Sequence, residues 1–156
     1  MERGIVLTRI EKSIVIEAPV EKVFDFATDV DNFIKTQPPE MEMTVLSRDK
    51  GPDRVGSKGK VRAKFGGQVW EIEMETTELV KNKRRVMRQK GGALKKMEAT
   101  DLFEPTEKGT KWTLVLEYEL PYSLLGKIVD KLKARKDIEK SLDYSVKKMK
   151  ELIEKG

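Results

Sequence analysis

Apolar and charged residues alternate on both sides of Gly66-Gly67, and this alternation constrains the fold of the chain most. Two adjacent glycines readily supply the positive φ angles of a two-residue turn, so the sequence predicts a β-hairpin at this point. Counting outward from the turn gives an apolar face, with Ala63 opposite Trp70 and Val61 opposite Ile72, and a charged face, with Arg62 opposite Glu71 and Lys60 opposite Glu73. A slip of one residue would turn the apolar set towards solvent. The pattern predicts an antiparallel sheet with one covered face.

The same period of two recurs along the chain and predicts seven β-strands, separated by Gly, Pro, Asn and Asp residues. The predicted strands are residues 11–17, 41–48, 59–65, 69–79, 84–90, 94–104 and 110–120. In the last of them, alternate residues from Trp112 to Leu120 are apolar. This spacing indicates a strand that packs one face on a core.

Helical spacing of apolar residues appears after the first strand and again at the end of the chain. Residues 19–28 predict one short helix, and Asp29 is a good N-cap for a second. After Pro121 the apolar residues recur at helical spacing, which predicts a long helix or a broken pair of helices. Arg135, within residues 133–137, stands where the apolar stripe should continue. Either a break or a helix section that crosses an open rim explains this, and the sequence leaves the two open.

The composition excludes several kinds of chemistry. The chain of 156 residues contains no Cys and no His, which removes disulfides, thiolate or imidazole metal sites and the catalytic triads that need either residue. We therefore expect no metal and no cofactor. Because no apolar run is long enough to span a membrane and no leader segment is evident, we expect a cytoplasmic protein. Abundant Lys and Glu without Cys is also typical of heat-adapted, thermostable proteins.

Several segments carry a family resemblance. Residues 16–26 (IEAPVEKVFDF) and 29–33 (DVDNF) look like the opening of one branch of proteins, and residues 55–79, 103–112 (FEPTEKGTKW) and 119–128 (ELPYSLLGKI) are similar to later parts of its members. In their order and spacing, these segments resemble the START-like, or SRPBCC, superfamily, in its polyketide cyclase/dehydrase and lipid-transport branch. The resemblance covers nearly the whole chain. The chain departs from it at Thr36, where many relatives carry a tryptophan.

The resemblance implies an α+β helix-grip fold for residues 1–156, as a single START-like domain. In this fold a seven-stranded curved antiparallel sheet wraps around a long C-terminal helix, two short helices follow strand one, and an apolar cavity lies between sheet and helix. Periodicity alone also fits a core packed without a cavity; the resemblance favours a cavity. The expected ligand-binding residues are Phe33, Val61, Ala63, Phe65, Trp70, Ile72, Met74, Met97, Ala99, Asp101, Trp112, Leu114, Leu116, Tyr118, Leu125, Val129, Leu132 and Leu142.

Three functions are compatible with such a fold. The first is binding or carrying of a hydrophobic small molecule, lipid-like or polyketide-like. The second is a cyclase or dehydratase that uses Asp101, Glu78 or Tyr118 for acid-base chemistry, since the parity of their strands directs these side chains inward. A salt bridge to a neighbouring Lys or Arg is the alternative role for the two carboxylates. The third function is a co-chaperone-like protein-interaction module.

Residues 81–96 form the most strongly segregated charge in the sequence, with eight basic residues and no acidic one. This basic segment could contact anionic lipid or an acidic protein partner, or it could be a solvated pair of strands whose lysines discourage edge-to-edge aggregation. It contains no interleaved aromatic residues, so we expect no nucleic-acid binding. The sequence leaves the oligomeric state open.

Overall fold

Seven antiparallel strands form one sheet in the order β1-β7-β6-β5-β4-β3-β2 in a computed structural model, which describes residues 7–65, 67–92, 96–119 and 131–156. The strands are β1 Thr8–Ile16, β2 Thr44–Arg48, β3 Lys58–Phe65, β4 Gln68–Val80, β5 Arg84–Gly92, β6 Lys96–Thr106 and β7 Gly109–Glu119. Helices α1 Val20–Ala27 and α2 Val30–Lys35 follow β1, and α3 Lys131–Lys155 ends the chain. The α+β helix-grip architecture expected from the sequence is confirmed.

The predicted register of the hairpin at Gly66-Gly67 is confirmed. Ala63 pairs with Trp70 across β3 and β4, and Arg62 pairs with Glu71. Gly67 has a φ of 77°, the left-handed conformation that favours glycine in tight turns. Because this register is kept, Ala63, Trp70 and Ile72 are buried on the inner side of the sheet.

The second strand starts later than predicted. Residues Pro39–Met41 form a single turn of 3-10 helix, and Glu42 is left-handed with a φ of 45°. Neither conformation is compatible with a strand. The strand therefore begins only at Thr44. Of the predicted strand residues, 94, 95 and 120 lie outside the described part of the chain.

The inward orientation predicted for Glu78 is wrong. The pairing of β4 with β5 shifts register between Thr76 and Glu78, which marks a β-bulge or similar irregularity. An inserted residue reverses the alternation of side chains along the rest of the strand. Glu78 is consequently exposed, and its carboxylate pairs with Arg84 at 3.0 Å, while the next residue, Leu79, packs against the core.

Helix α3 runs without a break through residues 133–137. Ala134 is fully buried, and it lies one turn before Ile138, so the apolar stripe of the helix passes through the alanine. Arg135 lies beside the stripe, where its guanidinium is 3.7 Å from the carboxylate of Glu139. The helix is thus continuous from Lys131 to Lys155, and the part of the predicted helix or helix pair before residue 131 lies outside the described residues. In the described residues, no helix has both the length and the apolar character needed to cross a membrane.

Buried apolar residues form two clusters. One contains Trp70, Leu116 and Ile138 and joins the sheet to the first half of α3. The other joins α1 to the second half of α3, and in it the rings of Phe24 and Phe103 meet edge to face with centroids 5.2 Å apart. Together the clusters fix both ends of α3 against the sheet.

Candidate ligand cavity

A cavity of about 760 Å³ lies inside the sheet and is lined by residues of β2 to β7, α1, α2, α3 and the loop between β2 and β3. Small-molecule sites typically have volumes of roughly 300–1,000 Å³. The apolar side chains that line it come mainly from alternate positions of the strands, because alternate residues of a strand face the same side. Helix α3 supplies the opposite wall with Ile138, Leu142 and Met149.

Most residues expected at the site on sequence grounds lie at this cavity. Those that line it are Phe33, Val61, Ala63, Ile72, Met74, Met97, Ala99, Asp101, Trp112, Leu114, Leu116, Tyr118 and Leu142. Trp70 does not line it, because its side chain is only 1% exposed within the core cluster that contains Ala134 and Ile138. Leu132 does not line it either, and its side chain is 59% exposed. The side chains of Phe65, Leu125 and Val129 lie outside the described part of the structure.

Sequence reasoning missed the polar wall of the cavity. Helices α1 and α2 and their flanking residues contribute Asp25, Thr28 and Thr36, and the loop between β2 and β3 contributes Asp53. Arg85 of β5 was counted as part of the basic segment, yet it lines the cavity. The alternation of the strand could have identified it. Arg85 and Met87 are two residues apart, so they lie on the same face of β5, and Arg85 pairs directly with Asp101 of β6.

Arg85 is the centre of a buried polar network. Its Nη2 donates to Asp101 Oδ2 at 2.9 Å and to the carbonyl of Ala27 at 3.1 Å, and its Nε donates to the same Asp101 oxygen at 3.1 Å. Its Nη1 donates to Asp53 Oδ2 at 3.2 Å. Arg85 therefore joins β5 and β6 to helix α1 and to the loop between β2 and β3.

The two carboxylates of the network have further donors. Trp112 Nε1 donates to Asp101 Oδ1 at 2.8 Å, and the Thr76 hydroxyl donates to Asp53 Oδ1 at 2.8 Å. Burial alone lowers the pKa of Arg85, but attraction to Asp101 and Asp53 outweighs this effect and the pKa is raised above its usual value. The guanidinium is therefore a permanent cation at the cavity wall.

Tyr118 is a buried phenol at the same cavity. Burial raises the pKa of Tyr118, and this effect exceeds the opposite effects of a hydrogen bond with Thr8 and of the charge on Arg135. The phenol therefore stays protonated at neutral pH. In this state it can donate a hydrogen bond to a ligand, and it is a poor general base.

We expect Tyr118 to make the protein less stable at alkaline pH. The folded state binds the phenol proton more tightly than the unfolded state, so its contribution is complete below about pH 10 and is lost as pH rises further. Tyr118→Phe removes this dependence. Urea unfolding of both proteins from pH 8 to 11 checks it: the stability of the parent should fall relative to the variant above about pH 10. Parallel curves would show that the phenol titrates alike in both states.

The basic segment is partly neutralised across the strands. Arg84 pairs with Glu78, Arg88 with Glu98 at 2.7 Å, and Lys90 with Glu75 at 3.2 Å. Arg85 belongs to the buried network described above. Including Arg85, ion pairs involve four of the seven basic residues of this segment that the structure describes.

The arrangement of the described residues suits binding. No group of three or more acidic residues among them is placed to hold a metal ion. Asp101 accepts from both Arg85 and Trp112, and these charge-assisted hydrogen bonds fix the position of its carboxylate in the wall. The cavity is therefore mostly apolar, and one part of its wall is charged and hydrogen-bonded.

Solved structures share this architecture. The aromatase/cyclase Zhui from Streptomyces sp. R1128 aligns with a TM-score of 0.73 at 14% identity, covering 96% of this chain and 95% of that one. Protein TTHA0849 from Thermus thermophilus aligns with a TM-score of 0.72 at 22% identity, covering 94% and 97%. Protein CV1439 from Chromobacterium violaceum gives 0.68 at 21% identity, covering 94% and 97%. At these identities the similarity shows the fold alone.

No curated protein matches the sequence at a significant level. The model of one family does match, that of polyketide cyclase / dehydrase and lipid transport proteins, over residues 8–154. The match spans every strand of the sheet and nearly all of α3. This chain therefore belongs to the polyketide cyclase / dehydrase and lipid transport family.

Proposed function

We propose that the protein binds or carries a hydrophobic small molecule, lipid-like or polyketide-like, in the cavity between the sheet and α3. The observation that carries the proposal is the cavity of about 760 Å³ with its mostly apolar wall. Transfer of apolar surface from water into such a wall contributes roughly 25 cal/mol per Å². A few polar groups then orient the bound molecule.

The distribution of methionine supports a guest of variable shape. Of the seven methionines in the chain, six line the cavity: Met41, Met43, Met74, Met87, Met97 and Met149. Methionine is flexible and polarizable, so it adapts to irregular apolar surfaces. A wall built from this residue favours binding of a shape-variable apolar body over recognition of one rigid substrate.

The cyclase or dehydratase alternative has weaker support. Glu78 lies outside the cavity in an ion pair with Arg84, Asp101 is engaged by Arg85 and Trp112, and Tyr118 has a raised pKa. Acid-base catalysis needs a group that exchanges protons near the working pH. Sequestration without bond making needs none, so it is the function that these three residues favour.

Filling the cavity tests the proposal. Ala63 lines it at 2% exposure, so Ala63→Trp should place the indole in the cavity and abolish binding of the neutral fluorescent probe N-phenyl-1-naphthylamine. The matched control is Val69→Trp on the outer face of the same hairpin, where Val69 is 56% exposed. We expect the control to bind the probe like the parent. Fluorescence titration measures binding, and urea unfolding measures stability.

A complementary variant is Leu116→Ala. Because Leu116 lines the cavity, its truncation should cost less than the roughly 2–5 kcal/mol of a leucine in a fully packed core. Failure of the parent to bind the probe, together with destabilisation of Ala63→Trp by about 1–3 kcal/mol from overpacking, would contradict the proposal.

A further inference from the structure

Among the described charged residues that line the cavity, acidic ones outnumber basic ones, although the chain as a whole is basic. The formal net charge of the protein is +5. Of the residues that the structure describes, three basic ones line the cavity, namely Arg48, Lys58 and Arg85. Six aspartates line it: Asp25, Asp29, Asp31, Asp49, Asp53 and Asp101. The charge that a bound molecule meets is therefore opposite in sign to the charge of the whole protein.

The negative excess reaches into the interior at the Arg85 network. Two carboxylates, Asp53 and Asp101, share the single guanidinium of Arg85, and no more than a tenth of any of these side chains is exposed. The network therefore carries a formal excess of one negative charge in a buried place. An uncompensated buried charge is unfavourable, and a positive group brought next to it relieves the cost.

Both carboxylates keep acceptor positions for a ligand. A carboxylate offers about four such positions. Asp53 accepts from Thr76 and Arg85, and Asp101 accepts once from Trp112 and twice from Arg85. Each carboxylate thus retains at least one position without a donor in the described part of the chain, and both line the cavity.

A polar side chain of α3 at the cavity has no hydrogen-bond partner among the described residues. Ser145 of α3 lines the cavity and is 3% exposed. Its Oγ has no hydrogen-bond partner among the described residues. Buried hydroxyl groups are normally hydrogen-bonded, so an unpaired one at a cavity wall indicates a group that a ligand completes.

We propose that the molecule bound in the cavity is a cationic amphiphile, whose protonated amine lies against Asp53 and Asp101 while its apolar body contacts the methionine-rich wall. The inference rests on the proposed function, because it needs a ligand in this cavity. An ammonium group supplies donors for the free acceptor positions and the positive charge that the network lacks. A carboxylate head group would instead add a second uncompensated negative charge.

Competition among ligands that differ only in head group tests the inference. Dodecylammonium, dodecanol and dodecanoate, each below its micelle concentration, are titrated at neutral pH against protein loaded with N-phenyl-1-naphthylamine. We expect dodecylammonium to displace the probe with roughly tenfold or higher affinity than dodecanol, and dodecanoate to compete most weakly. Non-specific attraction to a protein of net charge +5 would give the reverse order, so it cannot mimic this result.

Salt concentration separates a buried contact from a surface one. Exposed charges are screened strongly as the ionic strength rises, whereas buried pairs are screened much less. The preference for dodecylammonium should therefore change little between about 50 and 500 mM NaCl, since the Debye length falls over this range to a few ångströms. Loss of the preference at high salt would overturn the inference.

Replacement of Asp53 by uncharged asparagine tests whether the Arg85 network causes the preference for dodecylammonium. Asp53→Asn should reduce the preference for dodecylammonium over dodecanoate about tenfold, because it removes the excess negative charge while keeping a side-chain oxygen that can accept from the Thr76 hydroxyl. Asp143→Asn is the matched control: it changes the net charge equally, but Asp143 lies on α3 outside the cavity, paired with Lys12 at 3.1 Å. We expect the control to keep the selectivity of the parent.

The outcomes distinguish the two proposals. If the parent protein binds the probe but dodecanol or dodecanoate competes as well as dodecylammonium, the inference is overturned and the hydrophobic-ligand function stands. If the parent protein binds neither the probe nor any dodecyl ligand, both fall. Equal selectivity in Asp53→Asn and the parent also overturns the role of the network.

Discussion

Arg85→Met should destabilise the protein by about 3–5 kcal/mol. The substitution removes the only guanidinium in contact with two buried carboxylates among the described residues, those of Asp53 and Asp101. It also leaves the carbonyl of Ala27 without its Arg85 donor. Loss of one partner of a buried ion pair is costly because the remaining charge stays buried without compensation. Urea unfolding monitored by tryptophan fluorescence measures the change.

Arg88→Met is the matched control on the same strand. Arg88 lies on the opposite face of β5, with 62% of its side chain exposed, and pairs with Glu98. An exposed pair of this kind contributes about 0–1 kcal/mol, so the variant should unfold almost like the parent. Equal losses for the two variants would mean that the Arg85 network is no more important to the fold than a surface ion pair.

Gly109→Ala should be the second strongly destabilising change, by about 3 kcal/mol or more. Gly109 begins β7 with a φ of 145°, a conformation that residues with a side chain rarely adopt. A Cβ at this position would lie 2.1 Å from the carbonyl oxygen of Ile16 and 2.9 Å from the nitrogen of Ala18. Both contacts are to backbone at the junction of β1 and α1, so relief requires movement of the strand end itself.

Gly91→Ala is the control for this change. A Cβ at Gly91 meets nothing within 4 Å, and its φ is not in the left-handed region. The variant should therefore change the stability by no more than about 1 kcal/mol in either direction. Thermal and urea unfolding of the two variants provide the comparison. A Gly109→Ala protein as stable as the parent would show that the junction of β1 and α1 adapts without cost.

Residue type and local spacing determined the framework of the protein. The Gly66-Gly67 turn and the alternation around it specify the β3–β4 register, because any slip by one residue would expose Ala63 and Trp70. Asp29 caps α2 by accepting from the amide of Asp31 at 2.9 Å, as its position before an apolar run predicts. These interactions connect residues that are close in sequence or symmetric about a turn, so the local sequence pattern is enough to predict them.

The face of a side chain beyond an irregularity was decided only in three dimensions. Strict alternation puts Glu78 on the face of Trp70, but the register shift after Thr76 reverses it. A bulge depends on how β4 pairs with β5, and no local residue pattern at this position predicts it. The course of the α3 stripe through Ala134 was likewise decided by packing, since a small residue fits closely against the sheet.

The polar wall of the cavity is the part that only the tertiary structure decided. Arg85 looks like any other residue of the basic segment, yet it is buried because Asp53, 32 positions earlier, and Asp101, 16 positions later, converge on it. A charged side chain stays buried only where partners compensate it. Such compensation depends on contacts between a loop, two strands and a helix that are distant in sequence, so periodicity could predict the apolar face but not the charge within it.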